Sequence, residues 1–242
     1  LPLSPGRAYP EQNFQMQHRI DDCLFENNQG GGVRVLSVGE MGPDFVLANT
    51  RLLNNGLALL NLTGPPGIFL RLANTPRLAV ANCLVRWQAG HAIQAHLTAD
   101  QVTKGTRGNI TNNVLVRNHL GGVLWLTGNH FNTVNVSNNY LAHNDCGRRD
   151  VIRVAGLLVH PFGDNTVYDN RGNLILNSTA AAEGLTQGSV YRRNGFQANQ
   201  ALDHRRRATV FCSNARQIFE DNYFRNPANL YELWMGNQTL LK

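Results

Sequence analysis

Apolar and polar residues recur along this chain in a fixed order rather than at a helical period. Ile110, Asn112, Asn113, Leu115 and Asn118 return 26 residues later as Val136, Asn138, Asn139, Leu141 and Asn144. The unit is an apolar residue, a spacer, two Asn, a spacer, an apolar residue and an Asn three further on. Taking Asn138 as reference, its equivalents are Asp22, Asn49, Asn82, Asn112, Asp169, Arg193 and Asp221. Two residues earlier stand Ile20, Leu47, Val80, Ile110, Val136, Val167, Tyr191 and Phe219. Three residues later stand Phe25, Leu52, Val85, Leu115, Leu141, Gly172, Phe196 and Phe224, apolar in all but one copy. Short alternating runs follow most copies, such as Val33-Arg34-Val35-Leu36, Leu57 to Leu60, Val123 to Leu126 and Leu174-Ile175-Leu176. Alternation points one face inward and one outward.

No segment of helix length shows a 3.6-residue period. Repeats of this size mean stacked units, because one unit cannot bury its own apolar face. The pattern predicts an all-β fold, a single-stranded parallel β-solenoid of about eight coils over residues 19–242. An extended lead-in segment containing Pro2, Pro5 and Pro10 precedes it over residues 1–18. An antiparallel sandwich has evenly spaced strands too, but gives no reason for an Asn pair to keep its place between apolar residues.

Composition sharpens this reading. The chain holds 30 Asn and 23 Gly in 242 residues, and both tolerate the positive φ of tight bends. The net charge of +6 is carried by Arg, since the only lysines are Lys104 and Lys242. That permits an acidic partner, while no aromatic and basic stretch is organised as a nucleic-acid platform. No apolar run of about 20 residues is present. The first residue is Leu1, and the chain reads as a processed or excised segment of a larger protein. Five glycosylation sequons begin at Asn61, Asn109, Asn135, Asn177 and Asn237, which points to a secretory route.

The register of apolar–x–Asn/Asp–Asn–x–apolar resembles the right-handed parallel β-helix repeat of pectate-lyase-like proteins, over residues 19 to about 235. In that family an Asn at a tight bend stacks on its equivalent in the next coil. The resemblance implies an internal ladder of Asn113, Asn139, Asn170, Asn194 and Asn222. A stacked amide both donates and accepts, so identical side chains satisfy one another along the axis. Arg193 interrupts the preceding Asn/Asp column and leaves its bend open. The wording DDCLFENNQGGGVRV, followed by Asn-rich coils and sequons, also resembles extracellular β-helix modules of insect tricellular-junction membrane proteins. That resemblance implies a non-catalytic, extracellular module for cell adhesion or junction assembly, without cofactors. Its partners would be other junction or adhesion membrane proteins, or another copy of itself.

Cys23 and Cys83 share a repeat column two coils apart, roughly 10 Å at the usual strand spacing, too far for a disulfide. Both are expected as buried thiols in the ladder position. The bond left open is Cys146–Cys212.

Many β-helix proteins cleave acidic polysaccharides with clustered Asp. The best such cluster here is Asp145, Asp150 and Asp164 with His160, flanked by Arg148 and Arg149. A polysaccharide lyase or glycoside hydrolase is therefore the alternative to a scaffold. A further alternative is an anionic-glycan-binding module, with contacts at Arg205, Arg206 and Arg207 and with Trp87, Trp125 and Trp234 as stacking candidates. The eight His show no metal-ligand spacing.

Overall fold

The computed structural model describes residues 17–37, 42–56, 64–177, 189–202, 208–212, 217–235 and 240–241. The strands of these residues fall into three parallel sheets of nine, eight and eight members. Each sheet takes every third strand of the chain, so the backbone winds as a solenoid with a three-sided section. The first sheet runs from Gln17–Asp21 through Arg107–Thr111 and Thr133–Ser137 to Leu240–Leu241. The second contains three-residue strands: Leu24–Glu26, Arg51–Leu53, Leu84–Arg86, Val114–Val116, Tyr140–Ala142, Thr166–Tyr168, Gly195–Gln197 and Tyr223–Arg225. The third runs from Val33–Ser37 through Ile93–Thr98, Leu124–Gly128 and Asp145–Ala155 to Tyr231–Met235. One 3-10 turn, Val102–Lys104, is the only helical element among the described residues. The parallel β-solenoid expected from the repeat is thus the fold. Its first strand begins at Gln17, inside the predicted lead-in segment.

Register explains the apolar columns. Ile110 pairs with Val80 on one side and Val136 on the other, and Leu115 with Val85 and Leu141. All six are fully buried. In the third sheet Leu124 lies between Ile93 and Ile152. The core is one continuous cluster filled from all three sides. Toward the last coils its columns turn aromatic. Tyr191 stacks on Phe219 at 4.9 Å and Phe196 on Phe224 at 5.0 Å. A ring over a ring at about the strand repeat fills the section without offset.

Two bends per coil make the second sheet short. The first bend is a single residue at positive φ: Asp22, Asn49, Asn82, Asn112, Asn138, Asp164, Arg193 and Asp221, all between 49° and 57°. The second is another: Asn27, Asn54, Trp87, Arg117, His143, Asp169 and Ala198. Asn and Asp enter this left-handed region at least cost among residues with a Cβ. Here the sequence register needs correction. Asp169 belongs to the second bend, and Asp164 is the true equivalent of Asn138 in that coil.

Arg193 keeps its bend (φ 51°) despite its size. Its Nε and Nη2 donate to Oδ1 and Oδ2 of Asp164 in the preceding coil, at 2.7 and 2.8 Å. The bidentate pair holds a side chain that has no local amide partner. The Arg193 hydrogen bond keeps the Asp164 carboxyl below its ordinary pKa.

Glycine is required where coils touch at the third-sheet corner. A Cβ on Gly121 would collide with the backbone of Gly90 and His91. One on Gly122 would lie 2.5 Å from the Asp150 carbonyl oxygen and 2.9 Å from His91 Cδ2.

Candidate functional site

Immediately after the bends stand two internal amide ladders. The first runs Asn113, Asn139, Asn165, Asn194, Asn222. Asn139 shows the pattern: its backbone N–H and its Nδ2 both donate to Asn165 Oδ1, at 2.9 and 3.0 Å. Its Nδ2 also donates to the Ile110 carbonyl oxygen at 2.9 Å. Its Oδ1 accepts from the backbone N–H and Nδ2 of Asn113. Both polar atoms of the side chain are fully used, which is the condition for burying an amide. Asn113, Asn139, Asn194 and Asn222 hold the places the resemblance implied. Asn170 does not, and Asn165 stands in its place.

Asn170 belongs to a second ladder, one strand further on: Asn118, Asn144, Asn170, Asn199, Asn226. Asn28 and Asn55 pair in the same way nearer the start. Gln88 fills that column too, its Nε2 donating to the carbonyls of Leu52 and Arg86. The lone Asn closing the repeated unit, Asn118 and Asn144, was the sequence signal for this ladder. Thr50 and Cys83 substitute in the first ladder, and each turns its Oγ or Sγ onto a backbone carbonyl two residues back.

The four cysteines are free thiols. Cys146 and Cys212 lie in third-sheet strands with Arg171–Asn177 between them, so the disulfide left open from the sequence is not formed. The same two-coil separation that rules out Cys23–Cys83 rules it out. Burial pushes the thiols of Cys146 and Cys212 far up in pKa, and that of Cys83 upward. Cys23 is exposed, against the expectation of a buried thiol, because it lies in the first described coil, whose outer side has no neighbour among the described residues.

The acidic cluster is dispersed over the three-sided section. Asp164 sits at the bend between first and second sheets and is held by Arg193. Asp145 opens a third-sheet strand and accepts from Arg171 Nη1 at 3.0 Å. Asp150, further along that strand, faces Arg153 at 3.4 Å. His160 is exposed on the first sheet, one coil later. Each carboxylate has its own arginine. Asp145 and Asp150 stay together on the third sheet, opposite Arg171 and Asn173, while Asp164 stands at a bend and His160 on the first sheet. They do not form one groove. Among the described residues no three His, Cys, Asp or Glu side chains gather as a metal site.

Trp125 stands half-buried on the outer face of the third sheet, its ring 4.6 Å from His91 and 5.3 Å from the Arg153 guanidinium. Burial of His91, with Arg149 nearby, lowers its pKa to about 4. Trp87 is 41% exposed, with Arg86 stacked 3.5 Å above its ring. Arg205 to Arg207 and the Trp234 side chain lie outside the described residues, as do Asn61 and Asn237. Asn109 is exposed and Asn135 half-buried on the outer face of the first sheet. They are register partners, joined by an Asn135 Nδ2 to Asn109 Oδ1 bond of 3.2 Å. Asn177 ends the strand Arg171–Asn177.

A groove of about 720 Å³ lies over the first sheet near its start. Its floor includes Val46 and Ala79, and Thr103 and Gly105 border it. Arg77 and Arg107, register partners on adjacent strands, line it side by side. Both are exposed, and neither forms an ion pair among the described residues. Sequence reading passed over them because they lie 30 residues apart, and only the coil repeat makes them neighbours.

Two ladders of amides inside three parallel sheets are a scaffold repeated coil by coil, and the matches to known proteins follow it. Residues 11–170 match the family described as right handed beta helix region. This chain belongs to the right-handed β-helix family. It is also 30% identical, over 234 residues, to Protein bark beetle of Drosophila melanogaster. That alignment takes in 93% of this chain but 7% of the relative's length. No solved structure matches significantly.

Proposed function

We propose that this β-helix is a non-catalytic extracellular module that serves cell adhesion or junction assembly within a larger membrane protein. The observation that carries the reading is the likeness to Protein bark beetle across nearly the whole chain, joined to the sequence resemblance to tricellular-junction modules. The separation of Asp164 and His160 from the third-sheet pair Asp145 and Asp150, each of which is held by an arginine, supports the non-catalytic part. In this reading the partners are other junction or adhesion proteins, or a second copy. The outward-facing sequon residue Asn109 carries a glycan. The test is surface labelling of intact epithelial cells with an antibody raised against this chain. Signal concentrated where cells meet is expected, and signal only after permeabilisation would overturn the reading. Turnover of a uronic-acid polysaccharide by the purified chain, abolished in Asp150→Ala, would favour the enzyme instead.

The groove with Arg77 and Arg107 favours a second reading, capture of an acidic glycan. Two arginines side by side on adjacent strands, whose backbones are about 4.8 Å apart, suit an anionic chain such as a sulfated or uronic-acid polymer. Retention on heparin at physiological salt, lost in Arg77→Ala/Arg107→Ala, is the outcome this reading requires. Equal retention of that variant would dismiss it.

A further inference from the structure

The outer face of the second sheet is apolar where charge would be expected. One outward column reads Leu84, Val114, Tyr140, Thr166, Gly195 and the next reads Arg86, Val116, Ala142, Tyr168, Gln197. Val114, Tyr140 and Tyr168 are each 38% exposed. A contiguous apolar patch on an ordered sheet marks an interaction surface. Its rim is the second-bend column, Trp87, Arg117, His143, Asp169, Ala198.

We propose that a second copy of this chain covers this face. The copies pack sheet on sheet with solenoid axes antiparallel, about a two-fold axis passing over the coil of Tyr140 and Ala142.

Size and charge along the face choose that arrangement. A two-fold axis along the strand direction at this coil leaves Tyr140 opposite its own copy, while Ala142 is covered by its neighbours and takes no part. It lays each coil on the one equally far beyond. Arg117 then meets Asp169. The former is exposed with no ion pair among the described residues, and the latter is exposed, its carboxylate 2.8 Å from His143 Nδ1. Val116 meets Tyr168. One coil further out, the bulky Leu84 and Trp87 meet Gly195 and Ala198, a protrusion against a depression. Beyond these, Arg51 meets Tyr223 and Arg225 meets Leu53. No carboxylate faces a carboxylate and no arginine an arginine, and His143 meets its own copy at the axis. A closed isologous contact of this kind is the usual way a patch pairs with itself.

The face spans about five coils, roughly 24 Å, by about 17 Å from bend to bend at standard strand dimensions. That is about 400 Å² per copy, half the area of a standard stable interface. The contact is therefore weak and reversible in solution, and becomes strong only where many copies are arrayed. This pairing deepens the adhesive reading above and rests on it for its purpose, but the two are tested separately.

Sedimentation equilibrium of the purified chain from micromolar to millimolar concentration should show a reversible monomer–dimer step. Arg117→Asp and Asp169→Arg should each weaken it by about tenfold or more, and combining them should restore most of the affinity. Ala198→Trp should abolish dimers by filling the depression. Trp87 occupies the same bend position in its own coil, so the backbone tolerates that side chain. Circular dichroism of each variant confirms folding. A chain that stays monomeric throughout overturns the pairing, even if the protein localises to cell contacts. So does a dimer that none of these variants affects, or one that the double exchange fails to rescue.

Discussion

Glu232 closes the second amide ladder at Asn226. The backbone N–H and Nδ2 of Asn226 donate to Glu232 Oε1 and Oε2, each at 2.8 Å. A carboxylate takes both donors that the next coil's Asn would otherwise accept. Thr209 Oγ1 adds a third donor, to Oε2 at 2.8 Å. Glu232→Ala should cost about 2–4 kcal/mol in urea unfolding, because Asn226 is buried and its donors lose their acceptor. Glu232→Gln should cost nearly as much, since its amide places N–H against N–H.

The ladder and the bend beside it should respond in opposite ways. Asn139→Leu strands the Ile110 carbonyl and the Asn113 backbone N–H in the core and removes one of the two donors to Asn165 Oδ1, and should cost about 3–5 kcal/mol. Asn138→Gly, one residue earlier at φ 56°, should change stability by less than about 1 kcal/mol. Asn138→Val should destabilise by about 1–2 kcal/mol. Equal effects at both positions in denaturant titrations would remove the distinction between ladder and bend.

His91 makes stability depend on pH. Its folded pKa of about 4 lies below the ordinary value of 6.5 in the unfolded chain. Between those values the unfolded chain binds more protons. Stability is therefore complete above about pH 6.5 and falls as pH drops toward 4, by roughly 3 kcal/mol over that window. Thermal melts at pH 7, 5.5 and 4.5 should show the slope, and His91→Gln should flatten it.

Thiol titration tests the cysteine assignment. The native chain should react quickly at Cys23 alone, because Cys83, Cys146 and Cys212 are buried with raised pKa values. Denatured, unreduced protein should yield four thiols. Finding two would establish a disulfide.

The sequence made the solenoid legible because each coil repeats the same chemistry around its first bend. Ile110, Leu115 and Leu124 occupy core columns that apolar spacing alone identifies. It misplaced one coil because Asp164-Asn165 and Asp169-Asn170 read alike, five residues apart. The better choice left a trace. Counting from Asp169 puts Gly172 in an otherwise apolar column, whereas counting from Asp164 puts Val167 there. The separation of Asp164 and His160 from Asp145 and Asp150 was not legible, since proximity in sequence does not say which side of a three-sided coil a residue occupies. For the same reason the Arg77–Arg107 pair and the outer face of the second sheet emerged only from the register.

Because each ladder rung joins an amide to the same amide one coil on, the rod's length is not written into its chemistry. Removing the 26 residues from Asn113 to Asn138 would join Asn112 to Asn139, with Cys83 and Asn139 as the new neighbours in the first ladder. A gene could lengthen or shorten this molecule by whole turns and leave each junction intact. The reach of such a module would then be set by copying and deletion rather than by redesign.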